Sequence, residues 1–290
     1  MLTPSASQWH PEAFKQALRE LGYEEPANVT ILLRDAGGKL DKLPQLAQEL
    51  VRERVDVLVA VTTPGTRAAM DATKAIPIVM TVVADPVAMG FVSNLGRPGG
   101  NVTGISNLNR ELTTKRLELL KEAVPGAVRI AVLLHPDDPI VAPQMDDTKS
   151  VAPRLGVEPR FFPVRTTDDL RRAFTTMTEW RAHAVLRLAG LPLSLSTPAI
   201  ELALRHHLPT MLVLKEEVTA GALMAYDANR AEMFGRSAWF VDRILKGARP
   251  GDLPVEQPTR FELRVNLKTA KALGLTIPSS VILRADLVIE

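Results

Sequence analysis

VDVLVAVTTPGTRAAMDATKAIPIVMTVVADP, residues 55–86, places two nearly continuous apolar, β-branched runs on either side of one amphipathic segment. Runs 55–61 and 76–83 have almost no polar alternation, which predicts strands covered on both faces. Residues 65–74 between them carry helical spacing, so the stretch reads as β-α-β with parallel strands. Each run stops at a polar residue followed by proline, Thr63-Pro64 and Asp85-Pro86, and the same device recurs at Asp138-Pro139 and Thr197-Pro198. Threonine and aspartate cap helices, and proline suits the first helical position because its missing N–H would be unpaired there. The four pairs therefore predict strand ends feeding helices, where open α/β sheets keep their ligand sites. His10-Pro11 opens the first helix without a clear strand before it.

Working outward, Phe14, Ala17, Leu18 and Leu21 give a helix over residues 11–21, and residues 29–33 read as a short strand. Leu43, Leu46, Ala47, Leu50 and Val51 make the next helix. The glycine turn Arg97-Pro98-Gly99-Gly100-Asn101 precedes a strand at 102–106 and a helix near 111–124. A second β-α series follows: strands at 129–134, 158–163, 184–188 and 210–214, with helices at 140–155, 168–181 and 199–207. Residues 221–225 form another short strand, then a long helix with Phe234, Ala238, Val241 and Leu245 inward. The tail holds an alternating strand, Phe261, Leu263 and Val265, and a last helix over 267–273. The expected class is α/β: two Rossmann-like lobes with parallel sheets, hinged by crossovers, residues 1–106 with 226–256 and 107–225 with 257–290. Such lobes leave a cleft where strand ends face one another.

The composition narrows function by exclusion. A chain of 290 residues is long enough for two ordinary domains, and a 46% apolar fraction with 23% charge predicts a folded, water-soluble protein. Thirty-five basic against 33 acidic side chains leave +2, without the basic stripe that nucleic acid requires. Zero cysteines exclude disulfides, thiol catalysis and cysteine–metal sites. No apolar run reaches membrane-spanning length. The start, Met1-Leu2-Thr3-Pro4-Ser5, has neither a basic segment nor an apolar core, so no secretory signal is expected in the chain as given. Two readings stay open: a cytoplasmic protein, or an exported one whose leader is removed.

No G-x-G-x-x-G, G-x-x-x-x-G-K-[ST] or G-x-S-x-G stands in the right context, and no acid/base set assembles among His10, His135, His183, His206 and His207. Neither a catalytic residue, a metal site nor a cofactor is expected. The helix mouths remain. Thr62, Thr63 and Thr66 surround one of them, where hydroxyls and free N–H groups suit a carboxylate, although one threonine also serves as a cap. Asp85 is a cap first, with lone pairs left for a ligand ammonium. On the equivalent loop Asp138 is the cap, and His135 and Asp137 reach outward. Tyr226 follows a short strand beside a hinge, and Trp9 sits on a loop, an unusual place for a structural tryptophan.

Asp41-Lys42-Leu43-Pro44-Gln45-Leu46-Ala47, Asp85-Pro86-Val87, the turn at 97–104, Lys115-Arg116-Leu117-Glu118-Leu119-Leu120, Ile244-Leu245-Lys246-Gly247 and the tail at 266–275 together resemble the ABC-transporter substrate-binding protein family typified by tryptophan/tyrosine-binding lipoproteins. The match is collinear over nearly the whole chain. The resemblance implies a type I periplasmic binding fold that captures a small molecule by hinge closure. It also implies an exported, periplasmic or cell-surface monomer whose partner is a membrane permease. Carried onto this chain, the ligand loops are Ser5, Ser7 and Trp9; Thr62, Thr63 and Thr66; Ala84 and Asp85; His135 and Asp137; Gly190 and Leu191; Tyr226 and Asp227. Three features depart from the family pattern: only Met1–Thr3 stand for the first strand, Gly190-Leu191-Pro192-Leu193 replaces an aspartate-proline loop, and Asp227 replaces a glycine. The lost carboxylate shifts the expected ligand toward an apolar or aromatic carboxylate. A cytoplasmic ligand sensor of the same architecture is the alternative, and an α/β enzyme the third reading.

Overall fold

The computed structural model describes residues 1–5 and 10–290, so the expectations placed on Ser7 and Trp9 lie outside the described residues. The chain divides into two compact units, 1–108 with 229–259 and 109–228 with 260–290.

In the first unit, five parallel strands stand in the order β2-β1-β3-β4-β5: β1 Leu2–Thr3, β2 Arg34–Asp35, β3 Leu58–Val61, β4 Ile78–Val83 and β5 Val102–Ser106. Helices α1 (Pro11–Glu20), α2 (Leu43–Arg52) and α3 (Thr62–Ala72) connect them. Leu2, Leu58, Ala60, Ile78 and Met80 are fully buried with Ala47 and Leu50 of α2, as the uninterrupted apolar runs require. At Gly104 on β5 (φ +130°) an added Cβ would lie 2.0 Å from the Met80 carbonyl oxygen, and beyond Met80 the β4/β5 register shifts. Glycine is what lets the two strands approach there.

The second unit holds α4 (Asn109–Ala123), β6 (Arg129–Leu134), α5 (Val141–Leu155), β7 (Glu158–Pro163), α6 (Thr167–Glu179), β8 (Ala184–Arg187), α7 (Ser196–Arg205), β9 (Thr210–Leu212), α8 (Lys215–Thr219) and β10 (Met224–Ala228). The chain then returns to the first unit through α9 (Arg230–Leu245), and ends in the second with β11 (Phe261–Asn266), α10 (Leu267–Ala272), α11 (Ser279–Ile282) and β12 (Leu287–Ile289). The sheet order is β12-β11-β10-β9-β8-β6-β7, parallel except for the antiparallel β10/β11 pair. Strand β6 shows the period of two directly. Ile130, Val132 and Leu134 enter a core with Leu117 and Leu120 of α4, while Ala131 and Leu133 enter another with Leu170 and Phe174 of α6.

Several local expectations change. Residues 29–33 are not a strand, because β1 pairs only with Arg34 and Asp35 on that side. The strand expected at 221–225 lies three residues later, where β11 pairs with all of 224–228. No helix follows Asp85-Pro86: residues 86–90 are turns, closed by Met89 N–H donating to the Asp85 carbonyl at 3.0 Å. The chain passes between units at 108/109, 228/229 and 259/260, so Tyr226 and Asp227 stay with the second unit on β10.

Candidate functional site

In the first unit the expected residues gather at the carboxyl ends of β1, β3 and β4. Thr63 is buried inside the first turn of α3 and is not its cap: its Oγ1 accepts from the Ala84 N–H at 3.3 Å, joining the β3 and β4 ends. Thr66 Oγ1 donates to the Thr62 carbonyl at 2.9 Å. Gly65 lies 3.7 Å from the Leu2 carbonyl and 3.8 Å from Pro4 Cδ, measured from where its Cβ would stand, so the β1 end and Ser5 belong to the same rim. Among the described residues Val61, which precedes α3, gives it no side-chain cap, and the N–H groups of a first helical turn suit an outside acceptor.

This rim is strained. Thr62 has φ +66°, Val82 +59° and Asp85 +41°. Left-handed backbone at a β-branched residue is an outlier costing about 1–3 kcal/mol, and such residues cluster where ligands are gripped. Thr62 Oγ1 is enclosed without a hydrogen-bond partner among the described residues. Asp85 Oδ1 accepts from the Ala88 N–H at 3.1 Å, closing a turn rather than capping a helix.

In the second unit His135 and Asp137 follow β6, and Gly190 and Leu191 follow the adjacent β8. These two loops meet. Gly190 has φ +99°, and a Cβ on it would lie 2.7 Å from Asp138 Oδ2. Gln144 of α5, absent from the sequence-based site, joins them further: its Oε1 accepts from Ala189 N–H at 3.0 Å and its Nε2 donates to the Ile140 and Ala189 carbonyls. Arg187, fully enclosed at the end of β8, donates to the Leu191 carbonyl and pairs with Glu217. Nothing in the local sequence marks these side chains, because their partners lie up to 45 residues away.

Asp138 does not cap α5, which starts at Val141; its Oδ1 accepts from Ile140 N–H at 3.0 Å. Burial pushes its carboxyl up to about 6, against the opposing effect of that hydrogen bond. The folded state thus holds the proton more tightly than the unfolded chain. The resulting stabilisation is complete below the ordinary carboxylate value and is lost as pH rises through about 6. Asp138→Asn removes this dependence. Relative to the parent, the variant gains on the order of 2–3 kcal/mol in urea unfolding between pH 4 and pH 7.

Asp137 is exposed and paired bidentately with Arg165 at 2.7 and 2.8 Å, and that guanidinium holds its carboxyl below the usual range. Burial lowers the His135 imidazole, opposed by Asp137 and assisted by Arg165, and its Nδ1 has no hydrogen-bond partner among the described residues. Tyr226 and Asp227 lie on β10, with β9 between them and β8. Arg116 of α4 fixes both: its Nε donates to the Tyr226 carbonyl at 2.7 Å, and its Nη2 to Asp227 Oδ1 and Asn109 Oδ1, each at 3.3 Å. The Tyr226 ring is half-buried, 6.1 Å from Phe261.

The chain matches the family described as ABC transporter substrate binding protein over residues 5–289. A tyrosine-binding protein of Clostridioides difficile is 28% identical over 264 residues, 91% of this chain and 76% of that protein. A solved complex with L-Trp of an ABC domain from Streptococcus pneumonia superposes with a TM-score of 0.90 at 26% identity, covering 99% of this chain and 98% of the other. A conserved domain protein of Vibrio cholerae also gives 0.90, at 29% identity, covering 99% and 97%. Strand order and these likenesses agree, and the chain belongs to the ABC transporter substrate binding protein family: a substrate-binding protein of the type I periplasmic binding fold, not an enzyme.

Proposed function

We propose that the chain captures a small organic carboxylate with an apolar or aromatic body, an aromatic or branched amino acid or a related acid, between its two units. Hinge closure then commits it to the membrane permease of an ABC importer. The observation that carries this reading is the strained hydroxyl rim of the first unit: Thr62, Thr63 and Thr66 around a helix start that Val61 does not cap. Hydroxyls and unsatisfied N–H groups at a helix mouth hold a carboxylate, and the strain persists because binding uses that geometry. The ligand bodies in the related tyrosine-binding protein and the L-Trp complex support an aromatic partner. In the second unit the half-buried Tyr226 offers its ring, whereas Leu191, expected in the site, is fully buried against Leu133, Leu170 and Phe174 and belongs to the core. Asp85 follows β4 on the same rim, and its carboxylate is assigned to a ligand ammonium. Closure needs a ligand that binds the closed form better than the open one, which contacts from both units supply. The protein works outside the cytoplasm, as a monomer.

A thermal-shift series with L-tryptophan, L-tyrosine, L-phenylalanine, L-leucine and their deaminated acids tests this. At a hundredfold excess over Kd the right ligand adds about 2.7 kcal/mol of stability. Thr63→Ala and Asp85→Ala weaken that binding more than they lower the unliganded Tm. Silence across the whole series rejects the ligand class, and unchanged affinity in both variants removes the rim from the site.

A further inference from the structure

Asp138 carries a carboxyl that the second unit buries without using. It is 7% exposed, and among the described residues its side chain has one hydrogen bond, Oδ1 accepting from Ile140 N–H at 3.0 Å. A carboxylate has room for about four. No cation among the described residues pairs with it, and burial raises its carboxyl to about 6. An enclosed acceptor short of donors costs stability, and stability is given up in this way where a ligand supplies the missing bond.

The surroundings of Asp138 are those of a ligand site. In the second sheet β7 lies on one side of β6 and β8 on the other, so the order of growth reverses between β6 and β8. Open α/β sheets bind ligands beyond the strand ends at such a reversal. Asp138 follows β6, and Gly190 follows β8, where a Cβ would stand 2.7 Å from Asp138 Oδ2. Asp138 also lines a cavity of about 480 Å³, with apolar walls at Leu134, Val141, Met145, Phe161 and Pro163. That volume suits a small organic molecule. The Lys149 ammonium already stands 5.5 Å from the Phe161 ring centroid, so a neutral ring suits that wall better than a second cation.

We propose that this cavity takes the ring of an aromatic solute carrying its own donor, a phenol O–H or an indole N–H, and that Asp138 accepts from that donor. This rests on the chain capturing a small organic solute, and it adds the class of ring selected. A buried acceptor penalises a ring that cannot satisfy it, so phenyl and alkyl bodies bind more weakly than their size alone dictates.

The test titrates the full chain with indole against 1-methylindole and with p-cresol against 4-methylanisole, following the Met145 methyl by NMR. Each pair differs by a methyl on the donor atom. The donor-bearing member binds at least about tenfold tighter. Asp138→Asn lowers each ratio to about two or less, because the charged acceptor is gone. Ala142→Phe, at an exposed position of α5 on the cavity wall, weakens every probe. Ratios near one in the parent, ratios unchanged in Asp138→Asn, or a Met145 methyl that no probe moves at millimolar concentration overturn the proposal. The probes have neither carboxylate nor ammonium and so make no use of the hydroxyl rim. Silence of the amino-acid series with the probes still bound therefore rejects the solute reading and leaves the ring cavity standing.

Discussion

Arg116→Met lowers the stability of the second unit by about 3–5 kcal/mol, the range for removing one member of a buried ion pair. Arg116 is fully enclosed, and Asp227 is 8% exposed. The substitution keeps most of the side-chain volume but takes the guanidinium from Asp227, the Tyr226 carbonyl and Asn109 Oδ1 together. Denaturant unfolding measures the loss. Asp227→Asn alone costs less, and the double variant recovers part of the Arg116→Met deficit because the buried carboxylate is then neutral. Since Asn109 opens the stretch entering the second unit and Tyr226-Asp227 precede the stretch leaving it, the same variant weakens ligand binding as well. Isothermal titration with the ligand found in the thermal-shift series checks that second effect.

Gly104→Ala costs the first unit more than about 3 kcal/mol. Its Cβ would stand 2.0 Å from the Met80 carbonyl oxygen and 2.8 Å from the Met80 nitrogen, so β4 must move away from β5. The backbone adds its own penalty, because φ +130° is open to glycine and strained for alanine. Ala84 and Asp85 follow β4 directly, so the displaced strand carries part of the hydroxyl rim with it. Urea unfolding shows the lost stability, and ligand titration of the folded fraction shows the weakened site. In the second unit, amide protection at β6 and β8 stays unchanged.

Strands β5, β6 and β7 begin and end where the apolar runs predict, since alternation and strand propensity are written within a few residues. Thr63-Pro64 and Asp85-Pro86 do stand just past β3 and β4, but Thr197-Pro198 lies inside α7, well beyond the end of β8, because proline suits a first helical turn whether or not a strand precedes it. The bonds that such residues make were not legible. Thr63 accepts from Ala84, 21 residues away, and Asp138 bonds Ile140 without capping α5. Short-range capping rules assign a polar side chain to the nearest N–H groups, whereas a neighbouring strand end offered Thr63 a closer donor. Arg116 appears in the sequence as one basic residue of an amphipathic helix, and only its partners 110 and 111 residues away explain its burial.

By itself the sequence determined the β-α alternation, the two series and the bounds of strands such as β5, β6 and β7, because periodicity and turn chemistry act over about ten residues. The tertiary structure alone decided the strand orders, the antiparallel β10/β11 pair and the left-handed threonine at the rim. Each of those depends on which distant backbone lies alongside, and pairing energy between segments a hundred residues apart leaves no local trace.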